Sequence, residues 1–237
     1  RIHQIELFQK YPYEVQTELM EALVKKGSNT VYGLKHKFSD IKSLKSFQEQ
    51  IPIQNYQDLF PYIDRIMHGD QNVLWPSEIK WFAKSSGTTN ARSKFIPVSN
   101  EALQDCHIKG GKDLLSIYFN SFENTKMFTG KSLVIGGSRQ INQLNQNSNS
   151  FYGDVSAVLI SNLPWWAQLV RTPSLEIALM DEWEEKLEKM IHSCIDENVT
   201  SISGVHTWTL VLLEKILKEK KVESIIAISP NLEDLFP

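Results

Sequence analysis

The chain has 237 residues, 41% of them hydrophobic, and carries 28 acidic against 25 basic side chains, a formal net charge of −3. That length admits one large domain or two small ones with a real core, and the charge balance excludes the broad cationic field that non-specific nucleic-acid binding requires. No apolar run approaches the roughly 18 to 20 residues that span a bilayer, and the N-terminus lacks the basic-then-apolar order of a signal peptide, so the expected setting is the cytoplasm with no membrane partner.

From Ile5 onward, Phe8, Val15, Leu19 and Leu23 recur at a helical period that Pro12 interrupts and Gly27 closes, with Lys25 and Lys26 in the last turn. The stretch SDIKSLKSFQEQ opens with two capping residues, Ser39 and Asp40, and IQNYQDLFPYIDRIMHGD resumes helical spacing as far as Gly69. Residues 1–70 therefore read as mainly helical, and residues 71–237 as α/β.

In that second part, IKWFAK and KFIPV are rich in aromatic and branched residues and read as two strands flanking a polar loop. Ser99 is placed to cap a helix from about Asn100 to Phe122, with Leu103, Cys106, Leu114 and Ile117 inward and Gly110 and Gly111 weakening it. KSLVIGGS reads as a short buried strand ending in two glycines, where backbone or ligand can approach closely. RQINQLNQNSNS reads as an amide-rich loop, DVSAVLI as a further strand, and NLPWWAQLVRTP as irregular because of Pro164 and Pro173. From Asp181 as a cap, Trp183, Leu187, Met190, Ile191 and Cys194 form one helix face. VTSISG is a strand, a helix runs from about Thr207 to Lys221, and VESIIAIS is one more strand. Strands alternating with helices predict an α/β fold, a mainly parallel sheet flanked by helices behind a helical N-terminal third. Cys106 and Cys194 fall in helical patterns and read as packed thiols, not as a disulfide or a nucleophile. Both ends, Arg1 already in a helical pattern and Pro237 directly after NLEDLF, read as cut, so the chain is expected to be a portion of a longer protein.

Several familiar sites are excluded. A Walker loop needs two spaced glycines before Lys-Ser/Thr and a following helix, whereas residues 85–94 contain only Gly87 and lead into a strand. No G-x-G supports a dinucleotide fingerprint, and no G-x-S-x-G marks a hydrolase nucleophile. The six histidines are scattered singly, without metal-ligand spacing, so no protein metal site is expected and a metal would arrive with a nucleotide.

The polar loop SSGTTNARSK, residues 85–94, concentrates hydroxyls, a glycine and cations between the two strands. Serine and threonine hydroxyls with successive backbone N–H groups suit a polyphosphate, Gly87 lets the backbone come close to its oxygens, and a nearby lysine supplies charge. Composition alone leaves a second reading open, a solvated hairpin tip that is polar because it is wet.

The stretch SSGTTNARSKFIPVS closely resembles the phosphate-binding signature of the adenylate-forming superfamily of acyl-CoA synthetases and firefly luciferase. The closer likeness is to its branch of acyl acid amido synthetases, the auxin-responsive Gretchen Hagen family. There the signature reads Ser-Ser-Gly-Thr-Thr or Ser-Ser-Gly-Thr-Ser, a short variable stretch, then Lys-Phe-Ile-Pro-Val; here both halves are complete, at Ser85 to Thr89 and at Lys94 to Val98. IPIQNYQDLFPYIDRIMHGDQNVLWP, KSLVIGGS, LPWWAQLVRTP and SGVHTWTLVLLEKI resemble the same family in the same order.

The resemblance implies that the chain is part of the large N-terminal domain of an adenylate-forming enzyme, with ATP and Mg2+ as cofactors. Ser85, Ser86, Gly87, Thr88, Thr89, Asn90 and Lys94 would bind the ATP phosphates, Lys94 being the one residue with a possible catalytic role. A carboxylic acid would become an acyl-adenylate with loss of pyrophosphate, and an amino acid or other amine would then form the amide. SGVHTWTL resembles a Gly-Val-Pro-x-Trp turn beside the acyl pocket, which would make Val205, His206 and Trp208 its lining; His206 stands where the family usually has proline. Read from the residues alone, Trp208 is as well explained by core packing, Trp165 and Trp166 by an aromatic wall or by burial, and Arg171 by a structural ion pair. The family's adenine- and ribose-binding motifs and its small C-terminal domain are not matched, so this chain alone is expected to be inactive. Two alternatives stand beside amide formation: a sibling ligase making a CoA thioester, and a non-catalytic carboxylate-binding module.

Overall fold

The computed structural model describes residues 1–85, 93–136 and 141–221. Helices α1 (Ile2–Lys10), α2 (Pro12–Gly27), α3 (Val31–Lys35), α4 (Leu44–Gln50) and α5 (Tyr56–Met67) lead into strands β1 (Trp81–Lys84) and β2 (Phe95–Val98). A π-helical stretch, Ala102–Ile108, runs directly into α6 (Lys109–Ser121). There follow β3 (Lys131–Ile135), β4 (Asn142–Gln143), β5 (Phe151–Gly153), α7 (Val155–Ser161), α8 (Trp165–Leu169) and β6 (Arg171–Thr172). Helices α9 (Leu175–Ala178) and α10 (Trp183–Cys194), strand β7 (Val199–Gly204) and helix α11 (His206–Lys220) complete the described elements. Two units emerge, one from Arg1–Asn120 with Asn142–Tyr152, the other from Ser121–Ile141 with the residues from Gly153 onward.

In the first unit the helices are set by local hydrogen bonding. Pro12 sits at the first position of α2, where its missing N–H removes no helical bond. Thr30 caps α3 by accepting from the Gly33 N–H at 2.9 Å. Helix α5 has a reciprocal cap: Asn55 Oδ1 accepts from the N–H groups of Gln57 at 2.8 Å and Asp58 at 3.1 Å, and the Asp58 carboxylate accepts from the Asn55 N–H at 2.8 Å. The helix so started buries Ile63, Ile66 and Met67 against Val73, Ile79, Phe82 and Leu144. Its sheet has the order β2-β1-β5-β4, with β1 antiparallel to β2 and β4 antiparallel to β5.

The second unit holds the expected parallel sheet, in the order β6-β3-β7. Leu133 and Ile135 of β3 pack against Leu187, Met190, Ile191 and Cys194 of α10 and against Leu212 and Ile216 of α11. At the carboxyl end Ile135 lies opposite Gly204. A Cβ on Gly204 would stand 2.7 Å from both the Cβ and the carbonyl oxygen of Ile135, so glycine there is a condition of the close approach.

The α/β class and the helical first third agree with expectation, and several details differ. DVSAVLI is helix α7, not a strand, because Asp154 accepts from the Ala157 N–H at 2.7 Å and caps it, while Ala157, Val158 and Ile160 are buried at helical spacing. The amide-rich stretch contributes a short strand, β4, paired with β5. Pro164 and Pro173 flank α8 and β6 without interrupting them. The residue capping α10 is Glu182, with no side-chain cap bond, not Asp181. Ser99 does cap its helix, accepting from the Ala102 N–H at 3.1 Å, yet of the side chains expected inward only Leu103 is buried. Cys106 is exposed, and Leu114 and Ile117 keep 68% and 47% of their surface accessible. Helix α6 has no buried residue, so its expected inward face is not covered by the described residues. VESIIAIS lies outside the described residues.

Two consequences can be measured. Gly204→Ala is expected to destabilise the protein by about 1 to 3 kcal/mol in denaturant unfolding, the usual cost of overpacking. The Glu101 carboxylate accepts from Lys26 Nζ at 2.6 Å and from the Ser77 hydroxyl at 2.7 Å, and chiefly through Lys26 its pKa falls from the ordinary 4.5 to about 2. A depressed carboxyl pKa gives stability that is fully present above the ordinary value and is lost as pH falls through the native one. Acid unfolding followed by circular dichroism should therefore show a loss between about pH 4.5 and about 2 that Glu101→Gln flattens.

Candidate functional site

The β1–β2 hairpin carries the loop singled out by its composition, and its root is well defined. The Ser85 N–H donates to the Lys94 carbonyl at 2.9 Å, and the Lys94 N–H donates to the Ser85 hydroxyl oxygen at 3.1 Å. Lys84 opposite Phe95 is then the neighbouring pair that exchanges no bonds between the strands, so the Phe95 backbone polar groups face outward. Tyr56, the first residue of α5, takes both: the Phe95 N–H donates to its hydroxyl oxygen at 3.0 Å, and the hydroxyl lies 3.3 Å from the Phe95 carbonyl oxygen. The reciprocal cap of α5 thus fixes the side chain that bolts the hairpin in place.

Of the expected phosphate-binding set, the structure brings Ser85 and Lys94 together at this root. Ser86, Gly87, Thr88, Thr89 and Asn90 lie outside the described residues. The Lys94 ammonium stands 5.4 Å from the centroid of the Tyr56 ring. Lys84, absent from the sequence-based set, precedes this root on the other face of the hairpin: its ammonium lies 5.9 Å from the centroid of Phe95 and 5.5 Å from that of Tyr152. Its signal was present in WFAK, where a lysine follows Phe82 at the two-residue period of an inward strand face.

The residues expected at the acyl pocket belong to the second unit. Trp208 packs against the core of that unit, its ring 5.3 Å from that of Trp183. Val205 caps α11 and leaves 47% of its surface exposed, and His206, also exposed, is the first residue of the helix. Val205 has φ −74 and ψ 124, the extended conformation usual for a residue before a helix, which a proline at position 206 would also accept.

Burial decides the other candidates. Trp165 and Trp166 keep 76% and 42% of their surface exposed, which removes the reading of them as core residues. Arg171 is only 5% exposed and, among the described residues, has no carboxylate partner. Its guanidinium donates to Gln168 Oε1 at 3.1 Å and to the Ser174 carbonyl at 3.5 Å, so neutral acceptors replace the expected ion pair, and burial draws its pKa down. Lys186, fully buried on α10, donates to the carbonyls of Ala178 at 2.7 Å and Gly136 at 3.4 Å, and burial lowers its pKa. Burial pushes the Cys194 thiol up to about 11, which makes it a packing group and not a nucleophile. Among the described residues, no helix is long and apolar enough to cross a membrane, and no group of three or more His, Cys, Asp or Glu could hold a metal ion.

Residues 1–236 match the family described as the GH3 family N-terminal domain. The chain belongs to the GH3 family. Over 100 residues it is 32% identical to an indole-3-acetic acid-amido synthetase, GH3.2, of Arabidopsis thaliana, covering 42% of this chain and 18% of that protein. Over 108 residues it is 32% identical to the jasmonoyl–L-amino acid synthetase JAR4 of Nicotiana attenuata, covering 44% and 18%. A solved GH3.15 acyl acid amido synthetase shares the fold, with a TM-score of 0.71 at 16% identity over 92% of this chain and 38% of that one. The same enzyme in complex with 2,4-DB matches with a TM-score of 0.71 at 17% identity over 87% and 36%. These GH3 matches therefore span well under half the length of the proteins they fall in.

The extended Val205 backbone yields a prediction for the departure at position 206. His206→Pro should fold normally and raise stability by about 0.4 to 1 kcal/mol in thermal unfolding, because proline fits the first helical position and restricts the unfolded chain.

Proposed function

We propose that this chain is the phosphate-gripping portion of an ATP-dependent ligase that joins a small carboxylic acid to an amino acid or other amine. The observation that carries the reading is the hairpin root: Ser85 and Lys94 close a serine-, threonine- and glycine-rich stretch in a chain of the GH3 family, and among the described residues the Lys94 ammonium rests on an aromatic ring and on no carboxylate. Ser85, Ser86, Gly87, Thr88 and Thr89, with Asn90 and Lys94, are the residues assigned to the β- and γ-phosphates. The donor set suits that task. The Ser85 oxygen is held by a backbone N–H while its own proton stays available to a phosphate oxygen, and Lys94 adds a charge.

ATP, arriving with magnesium, supplies the adenylyl group and the departing pyrophosphate. In the proposed reaction an oxygen of the acid's carboxylate bonds to the α-phosphorus as the bond to the β-phosphate bridge breaks. The amine nitrogen then bonds to the activated carbonyl, AMP departs with the bonding pair, and the amine loses a proton. The loop hydroxyls, its N–H groups and Lys94 would neutralise charge gathering on the pyrophosphate, a role in which pre-placed donors are worth most. No protein nucleophile is needed.

For the acid we assign Val205, His206 and Trp208. Val205 is exposed at the carboxyl end of β7, the end of a parallel sheet where ligands bind, and Trp208 is anchored by Trp183. The indole-3-acetic acid and jasmonoyl names of the sequence relatives, and the 2,4-DB complex of the structural one, support a small organic acid as substrate. Residues 1–70 and 71–237 are on this reading parts of one N-terminal adenylation domain of a cytoplasmic enzyme.

Thermal melting of residues 1–237 tests the reading. Mg-ATP at a hundredfold excess over its Kd should stabilise the chain by about 2.7 kcal/mol, and Ser85→Ala combined with Lys94→Met should remove the shift. A shift with a carboxylic acid but none with Mg-ATP would instead indicate a carboxylate-binding module and sink the proposal. Pyrophosphate exchange with a panel of acids is expected only when the residues that the longer relatives possess are supplied; turnover by residues 1–237 alone would refute that part.

A further inference from the structure

Lys186, near the start of α10, has none of its surface exposed, a position where an aliphatic side chain would fill the space without taking a charge out of water. Its ammonium donates to the carbonyls of Ala178 at 2.7 Å and of Gly136 at 3.4 Å, and Asp154 and Asp181 act on its charge from nearby. Ala178 ends α9, so its carbonyl is one that the helix itself leaves without a partner. Gly136 is the first residue past β3, one beyond the last β3–β7 pair, Ile135 opposite Gly204. The same glycine is closed in from the side of α7. A Cβ there would stand 3.0 Å from Ile160 Cδ1 and 3.6 Å from the Ser156 hydroxyl oxygen, and Ser156 in turn donates to Asp154 at 2.7 Å. The chain leaving β3 is therefore held between α7 and the Lys186 ammonium. Because β3 and β7 are parallel, their register places Gly136 beside Val205, the half-exposed residue at which β7 passes into α11. The carboxyl ends of neighbouring parallel strands are where ligands of open α/β sheets bind, so the position of Gly136 shapes the ground on which Val205 is exposed.

We propose that Lys186 is a positioning residue for the acid site: by holding the Gly136 carbonyl it fixes where the chain leaves β3, and with it the wall beside Val205. The inference rests on the reading of Val205, His206 and Trp208 as the acid site, and adds to it a residue that touches no substrate. Its test is calorimetric titration of indole-3-acetate into residues 1–237, at a temperature where thermal unfolding shows every variant folded. Lys186→Met, which removes the ammonium and keeps an unbranched stem, should weaken binding about tenfold, because a small displacement of a site wall disturbs ligand placement. Met190→Ala opens a cavity in the same core one turn further along α10; it should lower the melting temperature at least as much and leave the affinity within about twofold. Val205→Asp, a residue type that caps helices well, sets a carboxylate against the acid and should abolish binding in a folded chain. Wild-type affinity in Lys186→Met, or an equal loss in Met190→Ala, would overturn the inference. If Val205→Asp abolishes binding while Lys186→Met leaves it intact, this inference alone falls. If the wild type binds no indole-3-acetate, or Val205→Asp binds it as tightly, the acid-site reading falls and the inference with it.

Discussion

The pair of hydrogen bonds between Ser85 and Lys94, one between backbones and one from the Lys94 N–H to the Ser85 hydroxyl, with Tyr56 covering the outer edge of Phe95, sets where the polar loop begins and ends. Strand β2 is the outer strand of its sheet, so its free edge would otherwise present unpaired N–H and C=O groups. Tyr56 answers one such pair with a single hydroxyl, and it is in place because Asn55 and Asp58 cap the helix that begins with it. A slip of one residue in the hairpin would turn Lys84 from the aromatic side to the other and bring Ser85 toward the core. The loop's chemistry thus depends on a register that residues outside the loop enforce.

The second unit is organised by a different constraint, the close approach of β3 and β7 where Ile135 meets Gly204. That approach lets α10 and α11 lay their apolar faces on the sheet and sets Trp208 against Trp183. Trp208 is therefore held by packing within the unit, while Val205 keeps 47% of its surface exposed. Two buried cations of this unit, Arg171 and Lys186, donate to carbonyls and an amide oxygen, and Asp154 and Asp181 act on the Lys186 charge from nearby. Removing such an acceptor would leave a desolvated charge, so these positions tie connections between elements more firmly than a surface ion pair would.

Membership of the GH3 family coexists with only 16% identity to a structure of the same fold. Cores accept extensive exchange of apolar residues while volume and pattern are kept, so the fold persists as identity falls. On the proposed phosphate-binding reading the loop SSGTT…KFIPV is under a different demand, because hydroxyls, a glycine and a lysine cannot be exchanged for residues of similar size without losing donors, backbone access or charge.

Helical periodicity, cap residues and the two β segments around the polar loop were legible in the chain itself, because each depends on hydrogen bonds or side-chain spacing within a few residues. The helical first third, the hairpin and β7 followed from those signals. DVSAVLI was misread because its branched residues suggest a strand while one carboxylate, that of Asp154, starts a helix; the signal was local but outweighed. The inward face expected of α6 differs because periodicity marks an apolar face without saying what covers it, and Leu114 and Ile117 are exposed among the described residues. Other facts had no local signal. That Arg171 meets Gln168 and not a carboxylate, that Trp208 leans on Trp183, and that Lys84 reaches Phe95 and Tyr152 depend on segments far apart in sequence. The residue types alone determined which chemistry this chain could offer, whereas burial and pairing across distant segments decided which side chains each charge meets, since desolvation and ion pairing act through space and not along the chain.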